Sequence, residues 1–445
     1  MKPLLFTLGL GVFAGALDLS VLSPALPALG KDLGVATSDL AWVFTLYLLA
    51  TIVSIAIASA LADRYGRRAV YLGCIALFAA GSVLAMVASN YPVFLAARAL
   101  QALGAGGVFP VATAAIGDVV PRERRGAALG LVAATWGLAA VIGPTFGGLV
   151  THFISWRWIF AANVPIAAVV FALARIYVPA VAPRRNEPLD GVGLFLLCVG
   201  LLALMDGLIA SRPLIGVLGA MSLAGFALWE QNVADAPIVP MSLFRMPQLA
   251  KTYALEIAIG MLEGALFFIP TVLVGAQNLS TAAAGLVAAL GALTFVVVIP
   301  SAGRGLDRIG SRDVLLAGTM LTEIGLGIFA LGFGSLWLAL LAMVVAGAGF
   351  GTLLGAPTRY IVTNETPEAV RATAVGLLSQ CLIVGQIVGT SLAGGLIGLA
   401  TNELLGYRHA YLGFCAVAFV ALVLAATLKS HRDERTQPVA QLEVA

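Results

Sequence analysis

The chain is a succession of long apolar runs separated by short polar turns. Apolar runs of about 18 or more residues are long enough to cross a bilayer as helices. Fourteen are predicted: 4–27, 40–62, 69–89, 92–117, 126–150, 157–178, 190–210, 212–229, 249–274, 281–303, 313–333, 335–357, 370–398 and 408–428. They are continuous runs and lack the ten-residue alternation of a membrane β-barrel. The predicted fold class is an all-α integral membrane protein with 14 transmembrane helices.

The polar punctuation carries a repeat. Leu61-Ala62-Asp63-Arg64-Tyr65-Gly66-Arg67-Arg68, between the second and third runs, returns as Leu306-Asp307-Arg308-Ile309-Gly310-Ser311-Arg312, with its aspartates 307 − 63 = 244 positions apart. Gly104-Ala105-Gly106-Gly107 pairs with Gly347-Ala348-Gly349-Phe350 at 347 − 104 = 243. A shared offset predicts a duplicated membrane unit, the construction of many secondary transporters. Runs 1–6 then match runs 9–14, and runs 7 and 8 are left between them. The predicted organisation is an N-terminal six-helix bundle over 1–178, a linker with two inserted transmembrane helices over 179–248, a C-terminal six-helix bundle over 249–428, and a polar cytoplasmic tail over 429–445.

Charge orients the spans. With the N-terminus in the cytoplasm, 20 of the 25 Lys and Arg fall on the cytoplasmic side and four (Lys31, Arg157, Arg212, Arg408) on the outer side, while Arg98 lies within a span. This positive-inside excess predicts an even number of spans, both termini in the cytoplasm, and a multi-pass plasma (inner) membrane protein.

Composition agrees. The chain is 60% hydrophobic and 11% charged, with mean hydropathy +1.02, against about 25% charged in soluble domains. A net charge of +3 makes no case for nucleic acid. Cys74, Cys198, Cys381 and Cys415 each sit in an apolar run without metal-ligand spacing and read as small buried hydrophobes. No metal site and no cofactor are expected. Lys2 before a long apolar run reads as the start of a retained first span. No GxxxxGK[ST] loop points to ATP, and no Ser/His, HExxH or paired-Asp spacing points to an intramembrane enzyme.

At several places the chain resembles the 14-span drug:proton antiporter branch of the major facilitator superfamily. The superfamily loop motif is similar to Ser59-Ala60-Leu61-Ala62-Asp63-Arg64-Tyr65-Gly66-Arg67-Arg68, with Ser59 where Gly is usual. The fourth-span motif resembles Arg98-Ala99-Leu100-Gln101 followed by Gly104 and Gly106, with Ala102 in place of a Gly. The antiporter motif resembles Gly143-Pro144-Thr145-Phe146-Gly147-Gly148. Leu17-Asp18 with Ala25-Leu26-Pro27 resembles the first-span signature, altered over residues 19–24. Trp156-Arg157-Trp158-Ile159-Phe160 with Asn163 and Pro165, and Leu243-Phe244-Arg245, resemble branch features near the sixth and ninth spans. The resemblance implies a proton-coupled exporter of amphipathic small molecules, cationic ones among them. It would work by alternating access of two related halves, as a monomer, with protons as the coupling ion. Dedicated export of one metabolite or lipid, and a non-transporting receptor of the same fold, stand as alternatives.

Charges inside the membrane are costly and usually functional. Asp18, Glu263, Glu256 and Arg98 are the candidates for proton coupling or substrate contact, with structural hydrogen bonding as the competing role. Adding 243 to Asp18 gives 261, two short of Glu263, and Glu256 lies seven residues earlier on the same helix face. Asp63, Arg64, Gly66 and Arg67 with Asp118 are predicted to form a conformational latch between the halves, against a purely topological role for the charges. Gly143, Pro144, Gly147 and Gly148 remove side chains and a backbone donor, predicting a kinkable, closely packed helix. Tyr47, Trp136, Phe267 and Phe268 are cavity candidates, with core packing or lipid contact as the plainer reading.

Overall fold

The computed structural model describes residues 2–120, 122–180, 190–234, 237–239, 241–332, 334–354, 357–366 and 371–431. In lipid every backbone polar group must be satisfied internally, and an apolar run does so as a helix. The described residues form helices and no strands: α1 (Lys2–Val21), α2 (Leu26–Leu33), α3 (Ala41–Tyr65), α4 (Arg67–Val87), α5 (Tyr91–Val119), α6 (Arg122–Phe153), α7 (Arg157–Tyr177), α8 (Gly191–Ile209), α9 (Pro213–Asn232), α10 (Pro247–Leu266), α11 (Ile269–Gln277), α12 (Thr281–Ile309), α13 (Ser311–Gly332), α14 (Leu336–Leu353), α15 (Pro357–Glu365), α16 (Arg371–Gly398) and α17 (Glu403–Ala426). Thirteen segments among the described residues are long and apolar enough to cross a membrane. The remaining expected run, 126–150, lies within α6, several of whose side chains fall outside the described set.

Three expected spans are not single helices. Run 4–27 stops at Val21, passes through a 3-10 turn at Ser23–Ala25 and resumes as α2. Run 249–274 breaks between α10 and α11, and run 335–357 ends at Leu353 before α15 begins at Pro357. Pro24, Pro27, Pro270 and Pro357 lie at or beside the restarts, where a missing N–H costs nothing because the first turn has no intrahelical acceptor.

The chain divides into two compact units. Unit 1 comprises Met1–Leu202 with Ala234–Ile238 and Leu279–Ala289; unit 2 comprises Ala203–Val233, Val239–Asn278 and Leu290–Ala445. In unit 1, α1 packs on α6 and α7, and α4 packs on α5 and α7. In unit 2, α10 packs on α16 and α17, and α13 packs on α14 and α17. The same pairing thus recurs in the same order.

Contacts fix the register of the repeat. Gly66 and Gly310 both turn with positive φ, 89° and 87°, at 310 − 66 = 244, a conformation only glycine adopts without strain. Gly104 abuts the backbone of Cys74 and Phe78, and Gly349 abuts that of Gly318 and Thr322. The offsets are 349 − 104 = 245, 318 − 74 = 244 and 322 − 78 = 244. Gly81 against Gln101 likewise matches Gly325 against Ala346. This corrects the pairing expected from sequence: Gly104 corresponds to Gly349, two residues beyond Gly347. A run of alternating small residues pairs equally well in either register until the neighbouring helix chooses.

Candidate functional site

The most connected polar cluster is sealed inside unit 1. Arg98 and Gln101 are three apart on α5 and therefore share a face. Both point to Asp18 of α1. Arg98 Nη1 donates to Asp18 Oδ2 at 2.5 Å and to Gln101 Oε1 at 2.5 Å. Gln101 Nε2 donates to Asp18 Oδ1 at 2.7 Å and lies 2.9 Å from Ser82 Oγ. Asn163 Nδ2 of α7 donates to Asp18 Oδ1 at 2.7 Å, and Tyr47 of α3 also hydrogen-bonds Asp18. The Arg98 guanidinium lies over the Tyr47 ring, 4.1 Å from its centroid, and 5.8 Å from that of Phe160. Asp18, Arg98 and Gln101 are all 0% exposed. A buried ion pair needs further hydrogen bonds to satisfy its remaining polar atoms; donors from α3, α5 and α7 meet the Asp18 carboxylate, while Arg98 Nε and Nη2 have no hydrogen-bond partner among the described residues.

Unit 2 carries the second carboxylate at the same level of its first helix. The ends of α1 and α10 differ by 247 − 2 = 245 and 266 − 21 = 245, so Asp18 corresponds to Glu263 itself and not to position 261. The partners are not repeated. At offset 245, Arg98 becomes Met343 and Gln101 becomes Ala346; at 244, Tyr47 becomes Gly291. Glu263 accepts a hydrogen bond from Gln386 Nε2 at 2.8 Å. It is half-buried, and among the described residues no Lys or Arg forms an ion pair with it. Glu256, two turns earlier, is buried and hydrogen-bonds Thr358. The structure therefore brings Asp18 and Arg98 together, and sets Glu263 and Glu256 along one helix elsewhere.

The loop residues separate into smaller contacts. Arg67 Nε donates to Asp118 Oδ2 at 3.3 Å. Both belong to unit 1, so this pair fastens α4 to α5 within one unit and does not join one half to the other. Arg64 is exposed and lies 5.6 Å from the Tyr65 ring centroid. The Asp63 side chain lies outside the described residues. Neighbouring Arg68 donates to the Arg175 carbonyl at the end of α7.

On α6, Gly143 faces Ser20 and Gly147 faces the Val21 carbonyl of α1, while Gly148 faces Thr281. Gly385 and Gly389 stand 385 − 143 = 242 and 389 − 147 = 242 further on, and they face the Ile257 and Met261 carbonyls of α10. Close packing at this crossing is thus common to both copies. The position of Pro144 is not: at the same offset stands Gln386, the residue that holds Glu263. Gln101, Asn163, Ser82 and Gln386 were not singled out from sequence as carboxylate partners; the three-residue spacing of Arg98 and Gln101 was the only local signal. Of the aromatic candidates, Tyr47, Phe267 and Phe268 are buried and Trp136 is 47% exposed.

Two copies of one helical unit, each carrying a carboxylate at the same point of its first helix, define a membrane transporter built by duplication. The chain belongs to the Major Facilitator Superfamily, whose sequence model matches residues 8–275 and again residues 253–444. An uncharacterized MFS-type transporter, YfiU of Bacillus subtilis (strain 168), is 32% identical over 417 residues, covering 90% of this chain and 80% of its own length. The tetracenomycin C resistance and export protein of Streptomyces glaucescens is 30% identical over 422 residues, covering 90% of this chain and 77% of its own length. Among solved structures, a D-xylose–proton symporter matches 98% of this chain and 99% of its own with a TM-score of 0.72 at 14% identity, a likeness of fold alone.

Proposed function

We propose that the protein is a proton-coupled antiporter that exports amphipathic small molecules, cationic ones among them. It would span the plasma membrane 14 times, as a monomer with both termini in the cytoplasm and α8 and α9 as the inserted pair, and would work by alternating access without a bound cofactor. The observation that carries the reading is the contrast between the two carboxylates. Asp18 is neutralised by Arg98 from within the chain. Glu263 occupies the same position with no such cation among the described residues, which leaves it open to a balancing charge from outside the protein, a proton or a cationic substrate. Two ligands that compete for one carboxylate are sufficient for exchange, because each favours a different state of the shared group. The relative that exports tetracenomycin C supports a second reading, export of one metabolite instead of many.

The test is transport in proteoliposomes with an imposed pH gradient and a panel of cationic and neutral amphiphiles. Gradient-driven movement of several cations, lost in Glu263→Gln, is the expected result. Movement that ignores the gradient and survives the substitution would sink proton coupling. Movement of a single neutral compound would favour the dedicated exporter.

A further inference from the structure

The two copies differ at a second point on the first helix. Position 256 − 245 = 11 is Gly11 in unit 1, where the Tyr71 hydroxyl fills the space a side chain would take. That hydroxyl is held by the carbonyls of Thr7 at 3.3 Å and Leu8 at 3.5 Å. Unit 2 has Leu315 at the position of Tyr71, 315 − 71 = 244, and has Glu256 in place of the glycine. A neutral, filled contact has become a buried carboxyl. Glu256 is 6% exposed and its Oε2 has no hydrogen-bond partner. Its other contact is Thr358, 2% exposed, whose neighbour Arg359 is exposed.

Glu256 and Glu263 are seven residues apart, about 10 Å along the helix axis and within about 20° of one face. The Glu263 charge acts electrostatically on Glu256. Around Glu256, α15 supplies Thr358 and Arg359, and α16 supplies Cys381. The groups that α17 and the 3-10 turn Met241–Arg245 send to α10 are Tyr411, whose hydroxyl donates to the Ala265 carbonyl, and Phe244 against Tyr253. Lys251, on α10 itself, donates to the Thr427 carbonyl.

We propose that Glu256 is the second station of a proton path that runs through unit 2 alone, from Glu263 to Glu256 and out past Thr358 and Arg359. The inference rests on the antiport reading above. A proton on Glu263 passes through bridging water to Oε2 of Glu256, leaving a carboxylate behind and a carboxylic acid ahead. Glu256 then releases the proton to water at the Thr358 end and returns to a carboxylate. One proton moves, and nothing is oxidised or reduced. Unit 1 offers no such ladder, because Asp18 is held by Arg98 and Gly11 carries no side chain.

The experiment uses the full chain in liposomes with ethidium as the probe and two readouts: counterflow at equal pH, and uptake driven by a pH gradient. Glu256→Gln is expected to keep counterflow within about twofold of the unsubstituted protein and to lose about tenfold or more of gradient-driven uptake, since positioned proton transfer is worth at least that factor. Glu256→Asp should recover part of the loss. A gradient-driven rate in Glu256→Gln equal to that of the unsubstituted protein overturns the path, and so does joint loss of both readouts in a folded protein, which would make Glu256 a substrate or packing residue. Should that variant not fold, Thr358→Val carries the same comparison, and an unchanged gradient-driven rate there overturns the path. If the unsubstituted protein shows counterflow but no response to the gradient, the antiport reading itself has failed.

Discussion

Replacing Arg98 by Met gives unit 1 the residue that unit 2 already has at this position, and leaves Asp18 without its cation. Both side chains are fully buried, and they meet at 2.5 Å. Truncating one partner of a buried ion pair costs about 3–5 kcal/mol. Three donors to Asp18 remain, from Gln101, Asn163 and Tyr47. Hydrogen bonds to a charged group contribute about 1.5–3 kcal/mol each, so the loss should sit at the low end, about 3 kcal/mol. The double variant Asp18→Asn with Arg98→Met removes both charges and should recover most of that loss, giving a coupling energy of about 2 kcal/mol. Equilibrium unfolding in mixed detergent micelles, followed by tryptophan fluorescence, measures all corners of the cycle. A cost under about 1 kcal/mol for Arg98→Met, or strict additivity in the double variant, would show that the pair is not what holds these four helices together.

Other expectations follow from the same geometry. Gly104→Val places a side chain against the backbone of Cys74 and Phe78 and should cost about 1–3 kcal/mol by thermal stability; Gly73→Ala, whose site is open, should stay within about 1 kcal/mol of neutral. Met343→Arg restores to unit 2 the cation of unit 1. It should leave folding intact by size-exclusion profile and cut ethidium transport about tenfold or more through competition for Glu263. Gln386→Leu removes the one donor to Glu263 among the described residues, so transport by this variant should lose its dependence on pH while Arg98→Met retains it, as read by initial rates across a pH series. The Arg67–Asp118 pair is partly exposed, at 14% and 8%, and a double-mutant cycle should return about 1 kcal/mol or less.

The spans were legible because each is a continuous apolar run, a signal that survives without any knowledge of neighbours. The breaks after Val21 and Leu266 were not, because apolar residues continue through both and only the prolines mark them. The duplication was legible in the charged loops, where Asp63 and Asp307 have no competitors nearby. It was misregistered at Gly104, where Gly347, Gly349 and Gly351 alternate and offer equivalent partners. Asp18 could be recognised as an unusual residue in an apolar helix, but its partners lie from 47 − 18 = 29 to 145 positions away, and nothing local announces them. Gln386 was hidden more thoroughly: it takes the place of a proline in the other copy, so similarity between the halves pointed away from it.

The choice of glutamine to hold Glu263 has a consequence for the chemistry of charging and discharging. A guanidinium can only donate hydrogen bonds, so the arginine beside Asp18 suits a carboxylate and has nothing to accept a proton with. A carboxamide has a donor at one end and an acceptor at the other. When Glu263 is a carboxylate, the Gln386 NH2 group serves it at 2.8 Å; when it becomes a carboxylic acid, half a rotation of the amide presents the oxygen to the new O–H. Both states then find a partner without moving either backbone, and the backbones there have little freedom to move, because Gly385 and Gly389 bring α16 against the carbonyls of α10. The second copy therefore holds its carboxylate with a reversible hinge of one bond, where the first holds it with a rivet.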